Sequence, residues 1–139
     1  MKELFNLGPG SGAPVWMEEL DRNCFGEPWG GLAGHEQAWG FQNEAFAIWS
    51  LNTVVAEAEL LRIAVEARHQ GQGLGRTLLD ACQTELNRMG ITTLLLEVRV
   101  SNTAARALYE ASGWKQDGLR KAYYGNGEDA ALYRKQLER

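Results

Sequence analysis

The sequence predicts an α/β domain of the α+β kind, a mixed and mostly antiparallel twisted sheet flanked by helices, and three observations carry that prediction. Two aromatic-rich apolar segments, Gln37 to Phe41 and Ala45 to Leu51, are separated by Gln42-Asn43-Glu44 and read as an antiparallel hairpin. The glycine-rich stretch Gln70 to Gly75 leads into Leu74, Leu78, Ala81, Cys82, Leu86 and Met89, a helical repeat. That helix joins a strand over Glu59 to Val65 to an unbroken β-branched and leucine run over Thr92 to Val100, and a crossover of this length makes the two strands parallel neighbours.

The elements follow in order. After a short apolar start at Leu4 to Leu7, Gly8-Pro9-Gly10-Ser11-Gly12 is a turn, and Pro14 opens a first helix running to about Cys24. From Phe25 to Gly34 four glycines and a proline break every periodicity, so this segment is a loop. The hairpin and the strand ending Leu-Leu-Arg-Ile-Ala-Val come next, then the glycine stretch and its helix, stopped at Gly90. Thr92 to Val100 fits a central strand buried on both faces. Asn102 caps a helix with Ala104, Ala107, Leu108 and Ala111 on one face, which ends at Gly113 before a strand starting at Trp114. Ala130 to Gln136 is the last strand, after the turn Gly125-Asn126-Gly127.

Composition bounds the function. At 139 residues, residues 1–139 form one domain, and 45% hydrophobic with 23% charged residues is the make-up of an ordinary globular protein. Lys and Arg total 14 against 18 Asp and Glu, a net charge of -4 that argues against nucleic acid and for a basic peptide as partner. Cys24 and Cys82 are far apart and lack CxxC spacing, so neither a disulfide framework nor a metal site is expected. No signal pattern and no membrane-spanning apolar run is present, and the expected location is cytoplasmic, away from membranes.

Gln70-Gly71-Gln72-Gly73-Leu74-Gly75-Arg76 sits between strand and helix, where unpaired backbone N–H groups and the positive helix end suit a diphosphate. A tight strand-to-helix connection would use the same glycines. No Lys follows the last glycine as a Walker loop requires, and Gly-x-Gly-x-Gly is not the dinucleotide spacing Gly-x-Gly-x-x-Gly.

Gln70-x-x-Gly73-x-Gly75, following Ile63-Ala64-Val65, resembles the Gln/Arg-x-x-Gly-x-Gly/Ala pyrophosphate motif of the GNAT superfamily of N-acetyltransferases. Leu96-Glu97-Val98-Arg99, Ser101-Asn102, Ala107-Leu108-Tyr109-Glu110 and Gly113-Trp114 follow in the order of its RimI-type ribosomal-protein-alanine N-acetyltransferases, and Arg120, Tyr123-Tyr124 and Gly127-Glu128-Asp129-Ala130 resemble the segment before their last strand. The similarity is good over roughly residues 60 to 136 and loose before that. It implies the GNAT fold, with the strands at 59–65 and 92–100 splayed, and acetyl-CoA as acyl donor without a metal. The backbone of Ile63, Ala64 and Val65 would run along the acetyl and pantetheine part, with a bulge there polarising the thioester carbonyl. Gln70, Gly71, Gln72, Gly73, Leu74, Gly75 and Arg76 would surround the pyrophosphate, and Asn102 would reach the pantetheine chain. Glu97 matches the family's general base and Tyr109 its general acid.

The chemistry asks for the same two types. An α-amino group of pKa about 7.7 to 8.0 must lose a proton before it attacks, and a departing thiolate needs one, which a phenol of pKa near about 10 holds at rest. Each residue also has a plainer reading: Glu97 as partner of Arg99 or cap of a loop, Tyr109 as packing on the sheet, Asn102 as N-cap alone. His35 and His69 read as surface residues without an acidic partner, and Cys82 as core. The family's usual second helix is here the short glycine-rich stretch Trp29 to Trp39, so Pro28-Trp29 matches a substrate loop while its surroundings do not; Ala67 and His69 stand where proline and an aromatic are usual.

The expected reaction is therefore direct acetyl transfer to the N-terminal amine of a protein, such as an alanine-started ribosomal protein. Trp29, Tyr123 and Tyr124 are the candidate acceptor contacts, the paired tyrosines suiting an extended peptide backbone. A small amine or lysine side chain as acceptor, and a silent acyl-CoA-binding module, are the alternatives.

Overall fold

The computed structural model describes residues 2–138. A short strand, β1 (Phe5–Leu7), pairs antiparallel with β2 (Glu36–Phe41), which turns at Asn43, left-handed at φ 67°, into β3 (Ala45–Asn52). β4 (Glu57–Val65) is antiparallel to β3. Between β1 and β2, α1 (Val15–Phe25) begins after Pro14, whose fixed φ suits that position, and ends at Gly26. The segment from Glu27 to Gly34 forms only turns and bends, as expected.

After β4, a 3-10 turn at Ala67–His69 and the glycine loop lead into α2 (Leu74–Arg88), which returns the chain to β5 (Thr93–Arg99) beside β4 and parallel to it. α3 (Thr103–Ala111), β6 (Lys115–Arg120) and β7 (Ala130–Gln136) complete a seven-stranded sheet in the order β1-β2-β3-β4-β5-β7-β6. The β4–β5 contact is its parallel junction, and every other pairing is antiparallel. Parallel pairing runs only from Glu57–Thr93 to Leu60–Leu96, after which the two strands part.

Two apolar layers hold the sheet. Leu78, Leu79, Cys82 and Leu86 of α2 are fully buried against Trp49, Leu94, Leu96 and Tyr133, so Leu78→Ala should cost about 2–5 kcal/mol. On the other face Met17 and Leu20 of α1 cover Ala38, Phe46, Ile48 and Ala64. That second layer stops at β4, which corrects the expectation that β5 is buried on both faces. Leu94, Leu96 and Val98 point into the α2 layer, while Leu95 and Glu97 are half-exposed and Arg99 exposed, because α1 does not extend over them.

The alanine face of α3 is not its buried face. Ala104, Ala107 and Ala111 are exposed and Leu108 half-buried, whereas Ala105, Tyr109 and Ser112 turn inward. Tyr109 decides the rotation: its ring fills the space between Trp114 (centroids 5.9 Å) and Tyr133 (6.2 Å), and burying an aromatic outweighs burying alanines.

Candidate functional site

The glycine loop is built almost wholly from backbone. Gly71 and Gly73 both sit at φ 78°, a left-handed conformation that side-chain-bearing residues avoid, and no atom lies within 4 Å of where a Cβ would stand on either. The first helical bond of α2 runs from Thr77 N to Gly73 O (3.0 Å), so the N–H groups of Leu74, Gly75 and Arg76 precede it and stand at the positive helix end. The two glutamines fold back, Gln70 donating to Val65 O (3.0 Å) and Gln72 to Arg68 O (3.2 Å), so they brace the loop. Gly75 differs from these two: its φ is not left-handed, and a Cβ there would meet Leu108 at 3.4 Å, an ordinary contact where α2 approaches α3. Beside the loop runs a groove of about 660 Å³ lined by Ile63, Val65, Gly71, Gly73, Arg76 and Leu108. Ala104, Ala107 and Leu108, read from the sequence as sharing one face of α3, border this groove together.

His69, expected to lack an acidic partner, has two. Its Nδ1 is 2.9 Å from Glu66 and its Nε2 3.7 Å from Glu44. Glu66 stands one turn before it in the chain, and Glu44 arrives through the β3–β4 pairing, which the sequence does not display. Both carboxyls are held below their ordinary value, Glu44 chiefly by its bond to Lys2 and Glu66 chiefly by His69.

The groove continues into the gap between β4 and β5. There a cleft of about 310 Å³ is lined by Phe25, Arg62, Ile63, Glu97, Asn102 and Tyr109. Ile63, Ala64 and Val65 pair with β3 on one edge, and their other edge lies beyond the last β4–β5 pair, open to the gap. The bulge expected at these three residues falls earlier: Ile48 faces Arg62 and Trp49 faces Leu60, so Leu61 is the extra residue. Ala64 itself turns toward α1, and its contribution to the gap is backbone only.

Glu97 projects from the uncovered face of β5 and pairs with Arg120 at 3.1 Å, not with Arg99. Arg99 instead meets Glu128 (3.2 Å) and lies over the Tyr124 ring (4.0 Å). Tyr109 is almost fully buried, and desolvation pushes its phenol up to about 12. Asn102 caps α3 through Oδ1, which accepts from Ala105 N (3.1 Å), and lines the cleft as well, so both readings of it hold geometrically. The glycine groove, the open edge of β4, Glu97 and Tyr109 are thus brought to one place.

The expected acceptor contacts are arranged differently. Tyr123 and Tyr124 meet edge to face at 5.1 Å, a contact that leaves no slot between them for a peptide backbone; they form one aromatic arm above Arg99 and Arg120. Trp29 braces its own loop, its backbone N–H donating to Asp21 and its indole to Glu36 (3.2 Å), and it does not line the cleft. Phe25 does, held under the Arg62 guanidinium at 4.2 Å, while Arg62 is tied to buried Asp21 at 2.6 Å. The sequence reading missed both Phe25 and Arg62; the signal was a single cation inside the apolar run Leu60 to Val65. Among the described residues no His, Cys, Asp and Glu group is placed to hold a metal ion, and no helix is long and apolar enough to cross a membrane.

Comparison with known proteins adds to this geometry. The sequence profile of the acetyltransferase (GNAT) family matches residues 10–114. Over 84 residues the chain is 48% identical to the [ribosomal protein bS18]-alanine N-acetyltransferase of Escherichia coli strain K12, covering 60% of this chain and 57% of that relative. Over 100 residues it is 38% identical to an N-alpha-acetyltransferase of Saccharolobus solfataricus, covering 71% and 58%. The chain thus spans under two thirds of the length of the curated relatives it matches. The crystal structure of the ribosomal-protein-S18-alanine N-acetyltransferase from Escherichia coli superposes with a TM-score of 0.77 at 30% identity, over 99% of this chain and 96% of that one.

Proposed function

The chain belongs to the GNAT acetyltransferase family, and from that premise we propose that it transfers acetyl from acetyl-CoA to the N-terminal α-amine of a protein. The observation that carries the reading is the parting of β4 from β5 after Leu60 and Leu96, which places Glu97 and Tyr109 on a cleft continuous with the glycine loop.

Acetyl-CoA supplies an activated thioester. The residues fit it: the left-handed Gly71 and Gly73 leave their surroundings open, and the free N–H groups of Leu74 to Arg76, with the Arg76 cation, suit a pyrophosphate. Ile63 to Val65 present along the gap the edge of β4 that β5 has left, with the Val65 carbonyl already held by Gln70, and Asn102 offers a side chain on the same wall. Glu97 takes the proton that the acceptor's ammonium must shed before nitrogen forms its bond to the acetyl carbon. As the carbon–sulfur bond breaks, Tyr109 gives its proton to the sulfur. A phenol held near about 12 is protonated at every physiological pH, as a donor must be. The nitrogen sheds two protons on its way to the amide: the first enters Glu97, and the second, lost as the carbon–sulfur bond breaks, restores the Tyr109 phenol that has protonated the sulfur, so no covalent enzyme intermediate is needed.

The acceptor we propose is an exposed protein N-terminus beginning with alanine, such as that of a ribosomal protein, because the relatives named for bS18 alanine share 48% identity across the aligned part. The acidic balance of the chain and the Glu59 and Glu97 carboxylates beside the gap suit a cationic amine. Acetyl-CoA consumption against a panel of N-terminal peptides, lysine peptides, free amino acids and polyamines tests this. Turnover should be highest on alanine-started peptides with a free α-amine; preference for polyamines or blocked lysine peptides would overturn the acceptor assignment, and none at all the activity.

A further inference from the structure

We propose that Arg120 is a displaceable internal cation, which occupies Glu97 until the acceptor's ammonium takes its place, and so sets the affinity for the acceptor. The inference rests on the reading that Glu97 receives the acceptor's proton. Glu97 lines two cavities at once. One is the cleft shared with Tyr109; the other, of about 300 Å³ on the uncovered face of the sheet, is bounded by Glu59, Asp117, Arg120 and Arg134. The carboxylate therefore stands where the two meet, and its ion-pair partner, Arg120, approaches from the second side at 3.1 Å.

The three arginines of this face are held unequally. Arg99 is fixed by Asn126 and Glu128 (both 3.2 Å) and by the Tyr124 ring, and Glu128 is itself tied to Ser101 N (2.8 Å). Arg134 is paired to Asp117 at 2.9 Å. Arg120 has Glu97 and, at 4.8 Å, the ring of Tyr123, which is 46% exposed. Its own side chain is 53% exposed. The Glu97 side chain is 22% exposed, so the cation is the water-facing half of the pair and the one free to exchange.

The exchange also conserves charge. Glu59 lies near enough that Glu97 raises its carboxyl and Arg120 lowers it, in addition to the larger raising effect of burial. Two carboxylates thus share one cation before an acceptor arrives. When an ammonium enters as the guanidinium leaves, the count is the same, so no unpaired charge builds up beside the low-dielectric gap. The two cations differ in one respect that matters: an ammonium can surrender a proton to Glu97, whereas a guanidinium keeps its own.

Steady-state kinetics on an alanine-started peptide with Arg120→Gln and Arg120→Lys tests this. Removing the competitor in Arg120→Gln should lower the peptide KM up to about fivefold, the scale of an exposed ion pair, with the acetyl-CoA KM unmoved. Arg120→Lys should return the peptide KM toward the wild-type value. An unchanged or raised peptide KM in Arg120→Gln, or a parallel shift in both KM values, overturns the proposal. Arg120→Met keeps the aliphatic stem and gives the same reading if the glutamine variant melts too early to assay. Glu97→Gln in the same series separates the two levels: full turnover there sinks the role of Glu97 itself, while lost turnover with an unmoved KM in Arg120→Gln overturns the displacement alone.

Discussion

The two sides of the gap between β4 and β5 are made of different material. Toward α2 the wall is backbone: the open edge of Ile63 to Val65, two left-handed glycines and the first N–H groups of a helix. Toward β6 it is side chains: Glu97 paired to Arg120, Arg120 against Tyr123 of the Tyr123–Tyr124 arm, and Glu59 lining the same cavity. Backbone groups are fixed by the fold and suit an invariant ligand such as a diphosphate. Half-exposed charged side chains can exchange partners, which suits an acceptor that arrives as a cation and leaves as an amide.

Substitutions that strike one wall and spare the other sharpen this contrast. The largest effect belongs to Glu97→Gln. A positioned general base is worth about 10² to 10⁴ in rate, so kcat should fall by that order, and raising the pH toward about 9 should recover part of it by supplying free amine. Wild-type kcat at neutral pH would break the assignment. Tyr109→Phe should lower kcat by a comparable or smaller factor while the melting temperature stays nearly constant, because the ring still packs between Trp114 and Tyr133. Kinetics that match wild type would mark the hydroxyl as idle.

Next comes Gly73→Val on the backbone wall. A branched side chain at φ 78° costs about 1–2 kcal/mol in conformation alone and puts methyl groups into the space beside the loop, so acetyl-CoA affinity should drop at least about tenfold. Unchanged affinity in a folded variant would contradict the loop's role.

How much of each wall was legible in the sequence follows from the same contrast. The glycine loop, α2 and β5 announce themselves locally, through glycine spacing and the repeat from Leu74 to Leu86, and the parallel crossover follows from chirality. The bulge at Leu61 has no local mark, being set by how β3 meets β4. Which face of α3 is buried is not legible from its alanines, small enough to lie on either side, and Tyr109 settles it through Trp114 and Tyr133. The pairing of Glu97 with Arg120 and of His69 with Glu44 joins different strands and turns, so the neighbour in sequence, Arg99, was the wrong partner to expect.

The smallest predicted effect is on stability. Burial, and then Glu97, raise the Glu59 carboxyl above the ordinary value, with Arg120 opposing. A raised folded-state pKa means that the native protein holds this proton more tightly than the unfolded chain. The contribution of Glu59 is therefore fully favourable below the unfolded carboxyl pKa and is lost as pH rises through the folded one. At neutral pH its charge is a cost, so Glu59→Gln should melt slightly higher than wild type at pH 7, and the gain should vanish near pH 4. A lower melting temperature at pH 7 would show that the Glu59 charge stabilises the face.

Calorimetric titration of acetyl-CoA into Glu97→Gln and Gly73→Val, side by side with wild type, tests the division of labour most directly. If one wall holds the donor and the other handles the proton, Glu97→Gln binds acetyl-CoA as wild type does and Gly73→Val binds it at least about tenfold more weakly. Equal affinity in the two variants, or a loss confined to Glu97→Gln, would contradict the account.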